Sequence, residues 1–257
     1  MFDIEEKLAR SLTAESTNLI PYLPYLLQDL WELGSMATEI SDIITGHINI
    51  SEKTSILDLA CGKGAVSIHL AKSFGCNVKG IDFMQDFIDC GKQKSRELLI
   101  DDICTFEIDD INETVKKERN YDIVILGAAG DVLGLPDETI TKLKYTIKSD
   151  GYIIIDDAFV PVDSKIEYYT KDDWIKFFKK NDVKLIEEKI FDKEELAKIN
   201  QYNQEKITNR ANELSCMYPE KAELFEGYVK SQQDECNILE EGMIAVTWLL
   251  QKNNSSS

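Results

Sequence analysis

ILDLACGKGAVSIHLAK, residues 56–72, is the stretch around which the rest of the chain is organised. Ile56, Leu57 and Leu59 form a short apolar run that is typical of a buried parallel strand. The run ends in the small residues 60–64, where a ligand can approach the backbone closely. A helix is predicted over 65–72, and its first N–H groups point back into the turn. Strand, turn and helix N-terminus together predict an anion-accepting site.

The composition limits the kinds of partner and cofactor that the protein is expected to bind. The chain has 257 residues, enough for one large domain, and a net charge of −18 that disfavours nucleic acids and anionic membrane surfaces. Its six cysteines and two histidines lack the spacing of a zinc site, so no metal is expected. The acidic N-terminus has no signal-peptide core, and no apolar run is long enough to span a membrane. We therefore expect a cytoplasmic protein that acts on a small molecule.

Strands and helices alternate regularly through the middle of the chain. Right-handed βαβ units and a mostly parallel sheet with helices on both faces follow from this alternation. The predicted strands cover residues 56–59, 77–83, 104–109, 121–126, 152–155, 183–191 and 243–250.

The outer segments are predicted to be helical, and the whole chain, 1–257, is expected to form a single domain. Residues 1–48 would cover an α/β core made of 50–192 and 242–252, and the cover would serve either as a packing layer or as a lid. Residues 193–240 form a helical insertion between the last two strands, broken near Pro219, that would be a roof over the site or a dimerisation surface. Residues 253–257 are expected to be a disordered tail.

Carboxylates follow the second and third strands, at the edge of the sheet where the glycine turn lies. Asp82 ends the second strand about 20 residues past the turn, where a carboxylate binds a ribose diol in nucleotide-binding folds. Asp110 and Ile111 follow the third strand, within reach of an adenine amine. Ser67 replaces the third glycine of a dinucleotide fingerprint, which disfavours a nicotinamide or flavin site.

With these motifs the chain resembles the class I S-adenosylmethionine-dependent methyltransferases, in particular those of small molecules. The matching segments are DLACGKG at 58–64, GIDF at 80–83, the strand end at 109–111, YDIVILG at 121–127 and DGYIIIDD at 150–157. Family members have glycine where this chain has Ala60. The resemblance implies a Rossmann-like seven-stranded sheet whose last strand is antiparallel, with S-adenosyl-L-methionine as cofactor and S-adenosyl-L-homocysteine as product.

The same resemblance assigns further residues to the cofactor. It implies that Asp58 and the turn residues Ala60, Gly62 and Gly64 hold the methionine end. Phe83 would pack on the adenine ring, and Gly127 would lie near the methyl-bearing sulfur.

An activated methyl group needs mainly a well-placed nucleophile, and a base only where that nucleophile must lose a proton. Asp131, Asp156 and Asp157 sit at or just past strand ends, and Asp131 is the candidate base. Tyr25, Trp31 and Asp157 are candidate substrate contacts. Two alternatives remain open: aminopropyl transfer on the same fold, and a non-catalytic protein that presents its helices to a partner. The sequence specifies neither the acceptor nor the oligomeric state.

Overall fold

Residues 4–253 are described by a computed structural model of the chain. Within these residues, seven strands form one sheet in the order β3-β2-β1-β4-β5-β7-β6, in which β7 is antiparallel to both neighbours. The predicted Rossmann-like fold with an antiparallel last strand is thereby confirmed. The strands are β1 Ser55–Leu59, β2 Asn77–Asp82, β3 Cys104–Ile108, β4 Tyr121–Gly127, β5 Ile147–Phe159, β6 Val183–Ile190 and β7 Ile244–Lys252.

Helices flank the sheet and extend beyond its carboxyl edge. Two 3₁₀ helices, Thr17–Tyr22 and Pro219–Lys221, join α1 to α2 and α9 to α10. The α-helices are α1 Ile4–Ser11, α2 Leu23–Leu26, α3 Ala37–His47, α4 Ala65–Phe74, α5 Gln85–Glu97, α6 Ile111–Lys117, α7 Pro136–Thr146, α8 Lys171–Lys180, α9 Lys193–Met217 and α10 Ala222–Gly242. Within residues 4–253 no helix is both long and apolar enough to cross a bilayer.

The central strands are buried on both faces, which explains their continuous apolar sequences. Leu57 and Leu59 belong to a cluster that α7 and α8 complete on one face, while Ile56 packs with α3 and α4 on the other. Because successive side chains alternate between faces, Asp58 and Asp82 point to the same face as Ile56.

A third apolar cluster lies beyond the sheet and joins the N-terminal segment to the α9–α10 hairpin. Leu23, Leu26 and Leu30 pack there against Ile207 and Phe225. The two predicted helical covers therefore form one layer, beside Met84 and Phe87 at the end of β2 and the start of α5. The dimerisation role of residues 193–240 stays a prediction.

Two segments differ from the sequence-based expectation. Residues 21–33 have the apolar spacing of one helix, Leu23, Leu26, Leu27, Leu30 and Trp31 on a face, yet only Leu23–Leu26 forms α2. The carbonyl groups after Leu26 bond instead to the side chain of Lys63. The fifth strand runs from Ile147 to Phe159 and includes the polar 148–151, because a β-bulge opposite 121–123 accommodates the extra residues. Of the predicted tail 253–257, Asn253 donates two hydrogen bonds to Asp182, and residues 254–257 lie outside the described part of the chain.

Candidate cofactor site

The glycine turn after β1 is built from residues in the left-handed backbone region. Ala60 and Gly62 have φ of 56° and 54°, so the alanine occupies a conformation that costs an L-residue about 1–2 kcal/mol. The Cys61 N–H donates to the Ile81 carbonyl at 2.9 Å and holds the turn on β2. The turn thus lies at the carboxyl ends of two adjacent strands.

Asp82 is the link between β2 and this turn. Its Oδ2 accepts a hydrogen bond from the Gly62 N–H at 2.8 Å, and its Oδ1 accepts one from the Met84 N–H at 2.9 Å. Burial raises the pKa of Asp82, against the lowering effect of these backbone donors. Each carboxylate oxygen has a further lone pair, so the group can still accept from a diol.

The end of β3 leads directly into α6 through Asp110. The Asp110 side chain caps the helix by accepting from the Asn112 N–H at 2.9 Å. Its position fixes Ile111 as the first helical residue, and Ile111 is buried against the sheet. Phe83, which follows β2, is unusually exposed for its size, at 39%. An open aromatic face next to a fixed aliphatic side chain suits a flat ring.

These residues border one cavity at the carboxyl edge of the sheet. Seven of the nine residues that the sequence assigned to the cofactor line it: Ala60, Gly62, Asp82, Phe83, Asp110, Ile111 and Gly127. A concave site with apolar walls and a few polar groups is typical of small-molecule and cofactor binding. The assignment of each residue to a part of the cofactor remains a prediction.

Asp58 and Gly64 lie behind the cavity rather than on its wall. Asp58 is buried and accepts a hydrogen bond from Ser67 Oγ at 2.5 Å. Burial raises its pKa to about 7, and the nearby Asp82 and Asp156 carboxylates add to this effect. Gly64 begins α4 with a φ of 83° and contacts the ring of Phe106.

The four other predicted residues also lie away from the described cavity wall. Tyr25 donates to Glu213 at 2.7 Å, where the N-terminal cover meets α9, and Trp31 is 38% exposed. Asp131 is an exposed partner of Arg10 at 3.7 Å. Asp157 accepts from the Tyr168 hydroxyl at 2.6 Å, and burial raises its pKa. All four carboxylate and aromatic assignments stay predictions.

A buried polar pair next to Gly127 lacks hydrogen-bond partners among residues 4–253. Asp156 Oδ2 and Ser35 Oγ are both shielded from solvent, and neither has a partner of adequate geometry. Asp156 Oδ1 does accept from the Thr247 hydroxyl. Burial raises the pKa of Asp156 to about 6, against the lowering effect of both hydroxyl groups. Buried groups left unpaired are a reason to look for a ligand.

Part of the cavity wall was not predicted from the sequence. Helix α1 covers the cavity, and Lys7 donates from Nζ to the Val132 carbonyl at 3.1 Å. The position of α1 over the cavity is evident only from this contact between residues 125 positions apart. The helical periodicity of residues 4–11 does not predict which part of the fold the helix covers. The unpredicted lining residues are Lys7, Leu8, Ser11, Leu12, Leu33, Phe87, Asn112 and Val132.

Metal-ligating chemistry is not apparent in residues 4–253. They contain no group of three or more His, Cys, Asp or Glu side chains arranged to hold a metal ion. The six cysteines are all free thiols.

A model of the methyltransferase domain matches residues 50–242, three quarters of the chain. Demethylmenaquinone methyltransferase of Lactobacillus johnsonii is 28% identical over 48% of this chain and 50% of its own length. A ubiquinone biosynthesis O-methyltransferase of Rickettsia canadensis is 30% identical over 45% of this chain and 48% of its own length. The chain thus spans about half the length of these curated relatives.

A solved structure extends the likeness to nearly the whole fold. The S-adenosylmethionine-dependent methyltransferase of Thiobacillus denitrificans, in complex with S-adenosyl-L-homocysteine, superposes with a TM-score of 0.76 at 16% identity. The match covers 90% of this chain and 98% of that one. The chain belongs to the methyltransferase domain family, as a class I S-adenosylmethionine-dependent member. The predicted family and cofactor are confirmed at this level.

The residues present fit that cofactor. Asp82 offers acceptors for a diol, Phe83 and Ile111 offer apolar surfaces for a flat ring, and Gly62 leaves the backbone open. Asp58, Asp82 and Asp156 lie on one face of the sheet, and burial raises the pKa of each, so the negative charge that they place near a cationic sulfonium increases as the pH rises. When bound, S-adenosylmethionine supplies a methyl group that is already activated for transfer.

Proposed function

We propose that this protein transfers the methyl group of S-adenosyl-L-methionine to a small-molecule acceptor by in-line displacement. The observation that carries the proposal is the single cavity in which the glycine turn, Asp82, Asp110 and Gly127 come together at the strand ends. Holding a nucleophile about 3–3.5 Å from the methyl carbon supplies most of the rate enhancement such a transfer needs.

The walls of the cavity favour a small acceptor over a macromolecule. Helix α1 covers one side, and Leu33 closes the side next to Gly62. A covered site also excludes water from the reacting groups. The net charge of −18 further disfavours a nucleic-acid acceptor. Among the relatives, the demethylmenaquinone and ubiquinone biosynthesis methyltransferases are named for quinone-type small molecules, whereas a ribosomal protein L11 methyltransferase of Campylobacter fetus, 29% identical, is named for a protein, so the choice of a small acceptor rests on the cavity walls.

Asp156 is our first candidate to receive a proton from the acceptor, ahead of the predicted Asp131. Asp156 lies behind the cavity wall at Gly127: its Oδ2 is 3.7 Å from the position a Cβ on Gly127 would take, with Ser35 Oγ beside the same position, and this oxygen forms no hydrogen bond of adequate geometry among residues 4–253. Asp131 is exposed and forms an ion pair with Arg10, so its carboxylate is held in place less firmly than the buried carboxylate of Asp156. Such a base acts only if the acceptor atom carries a proton to be lost.

Methyl transfer is tested with cofactor labelled in the methyl group, incubated with the protein and a panel of phenols, quinols, amines and carboxylic acids. We expect label in a small organic product and S-adenosyl-L-homocysteine in equal amount. Decarboxylated S-adenosylmethionine labelled in the propyl chain serves as the matched donor. Transfer only from that donor would establish the aminopropyl alternative, and transfer from neither would favour a binding protein. For an acceptor that loses a proton, Asp156→Asn should reduce turnover far more than Asp131→Asn.

A further inference from the structure

Lys63, in the middle of the glycine turn, is a buried lysine that binds only backbone oxygens at hydrogen-bond distance. It is 5% exposed, and its Nζ donates to the carbonyl groups of Leu27, Gln28 and Leu30 at 2.6, 3.2 and 2.6 Å. These carbonyls lie just beyond the end of α2, and the Leu27 carbonyl also accepts from the Leu30 N–H at 3.0 Å. Because an ammonium group has three donors on one atom, all three are used here.

The segment that Lys63 holds crosses the cavity, and we call residues 27–35 the strap. Leu33 of the strap lines the cavity, and its Cδ1 is 3.2 Å from the position a Cβ on Gly62 would take. Ser35 Oγ fills the space next to Gly127, since a Cβ there would lie 2.0 Å from it. The strap therefore runs from the glycine turn to the end of β4.

We propose that Lys63 is a positioning residue whose ammonium group fixes the strap across the cavity, so that cofactor binding at the turn and closure over the acceptor are coupled. The coupling rests on the proposed cofactor site, while the contact between Lys63 and the strap does not. The turn places Gly62 in the cavity wall and Lys63 against the strap. A shift of the turn therefore displaces the strap, and a shift of the strap displaces the turn.

The strap has other tethers as well. Arg210 pairs with Asp29 through two hydrogen bonds at 2.7 and 2.9 Å, and both side chains are partly exposed. Leu27 and Leu30 are buried in the third apolar cluster. Lys63 differs from these tethers because its hydrogen bonds join the strap to the glycine turn. Burial lowers the pKa of its ammonium group, with Cys90 and Asp29 acting in the opposite direction.

Hydrogen exchange with and without S-adenosyl-L-homocysteine tests this. Lys63→Met keeps the length of the side chain and removes its donors, and Lys79→Met, in β2 and paired with Glu107 and Glu118, is the control. In the wild type we expect the ligand to slow exchange in residues 27–35. In Lys63→Met we expect strap exchange about tenfold faster and the ligand-dependent protection lost, while sheet amides are unchanged. Equal ligand-dependent protection in Lys63→Met and wild type would overturn the proposal.

The two hypotheses fail in distinguishable ways. If the wild type does not bind S-adenosyl-L-homocysteine, the cofactor assignment fails, and the ligand-free comparison still tests whether Lys63 holds the strap. If Lys63→Met does not fold, Lys63→Arg replaces it, because a planar guanidinium cannot direct three donors from one nitrogen. Reduced ligand protection of the strap in Lys63→Arg supports the proposal, and wild-type protection contradicts it.

Discussion

At the scale of single residues, one aromatic ring determines where glycine is needed around the turn. A Cβ on Gly64 would lie 2.4 Å from Phe106, one on Gly80 2.8 Å and one on Gly91 3.0 Å. The three glycines come from the turn, β2 and α5, so the ring of Phe106 joins all three elements. Gly64 is therefore explained by packing, although its place in the motif suggests contact with a ligand.

Gly80→Ala should therefore destabilise the protein. The added methyl group overpacks the space beside Phe106 and Cys61, and overpacking costs about 1–3 kcal/mol of the free energy of unfolding. Gly227→Ala, in α10 with nothing within 4 Å of the new Cβ, is the matched control and should gain about 0.5–1 kcal/mol. Urea titration measures both. Similar free energies for the two variants would show that Phe106 does not constrain Gly80.

Asp58 should make the protein less stable as the pH rises. Its folded pKa of about 7 lies above its ordinary value of 3.8, so the folded state binds the proton more tightly. This stabilisation is complete below pH 3.8 and is lost as the pH passes through 7. Between pH 5 and 7.5 the wild type should lose about 2 kcal/mol more than Asp58→Asn, measured by urea titration. Parallel pH profiles of the two proteins would contradict this.

At the scale of elements, α8 shows how closely a local pattern can predict structure. The sequence Thr170-Lys171-Asp172-Asp173 has the pattern of a capping box, and Thr170 and Asp173 form one, with reciprocal side-chain and backbone hydrogen bonds at the helix start. The start is fixed so that Trp174 and Phe178 enter the core beside β7. The hydrogen bonds of the capping box each span three residues along the chain, which is why the sequence sufficed to predict this helix start.

Thr170→Ala should lower the free energy of unfolding by about 1 kcal/mol, since it removes the hydroxyl that accepts from the Asp173 N–H and donates to the Asp173 carboxylate, and leaves that N–H only the Thr170 carbonyl. Thr170→Ser keeps the hydroxyl group and should stay within a few tenths of the wild type. Thermal and urea unfolding compare the three proteins. If serine lost as much as alanine, the hydroxyl would not be the stabilising group.

Other elements depend on distant contacts and could not be predicted in this way. The segment 21–33 has helical apolar spacing, yet α2 ends at Leu26 because Lys63, more than 30 residues away, binds the following carbonyls. The 148–151 segment has turn composition, yet it continues β5 through a bulge opposite β4. In both cases tertiary contacts outweigh local propensity.

At the scale of the whole molecule, the carboxyl edge of the sheet was the most predictable feature of the site. Parallel strands end on one edge, so the order of strands alone brings the turn, Asp82 and Asp110 together. The wall made by α1 and the strap is different, because it arises from contacts such as Lys7 with Val132 that leave no mark in the sequence. For that reason the side of the cavity that is formed by the strand ends could be predicted from the sequence, and the side that is formed by α1 and the strap could not.

The central claim is that carboxylate-bearing strand ends bind an adenosyl cofactor, and calorimetric titration with S-adenosyl-L-homocysteine tests it most directly. We predict one site of micromolar affinity in the wild type. Asp82→Asn retains one carbonyl oxygen for the backbone but loses a charged acceptor, worth about 1.5–3 kcal/mol, so its affinity should fall at least about tenfold with the fold intact by circular dichroism. Equal affinity in the two proteins, or no binding by the wild type at millimolar ligand, would contradict the claim.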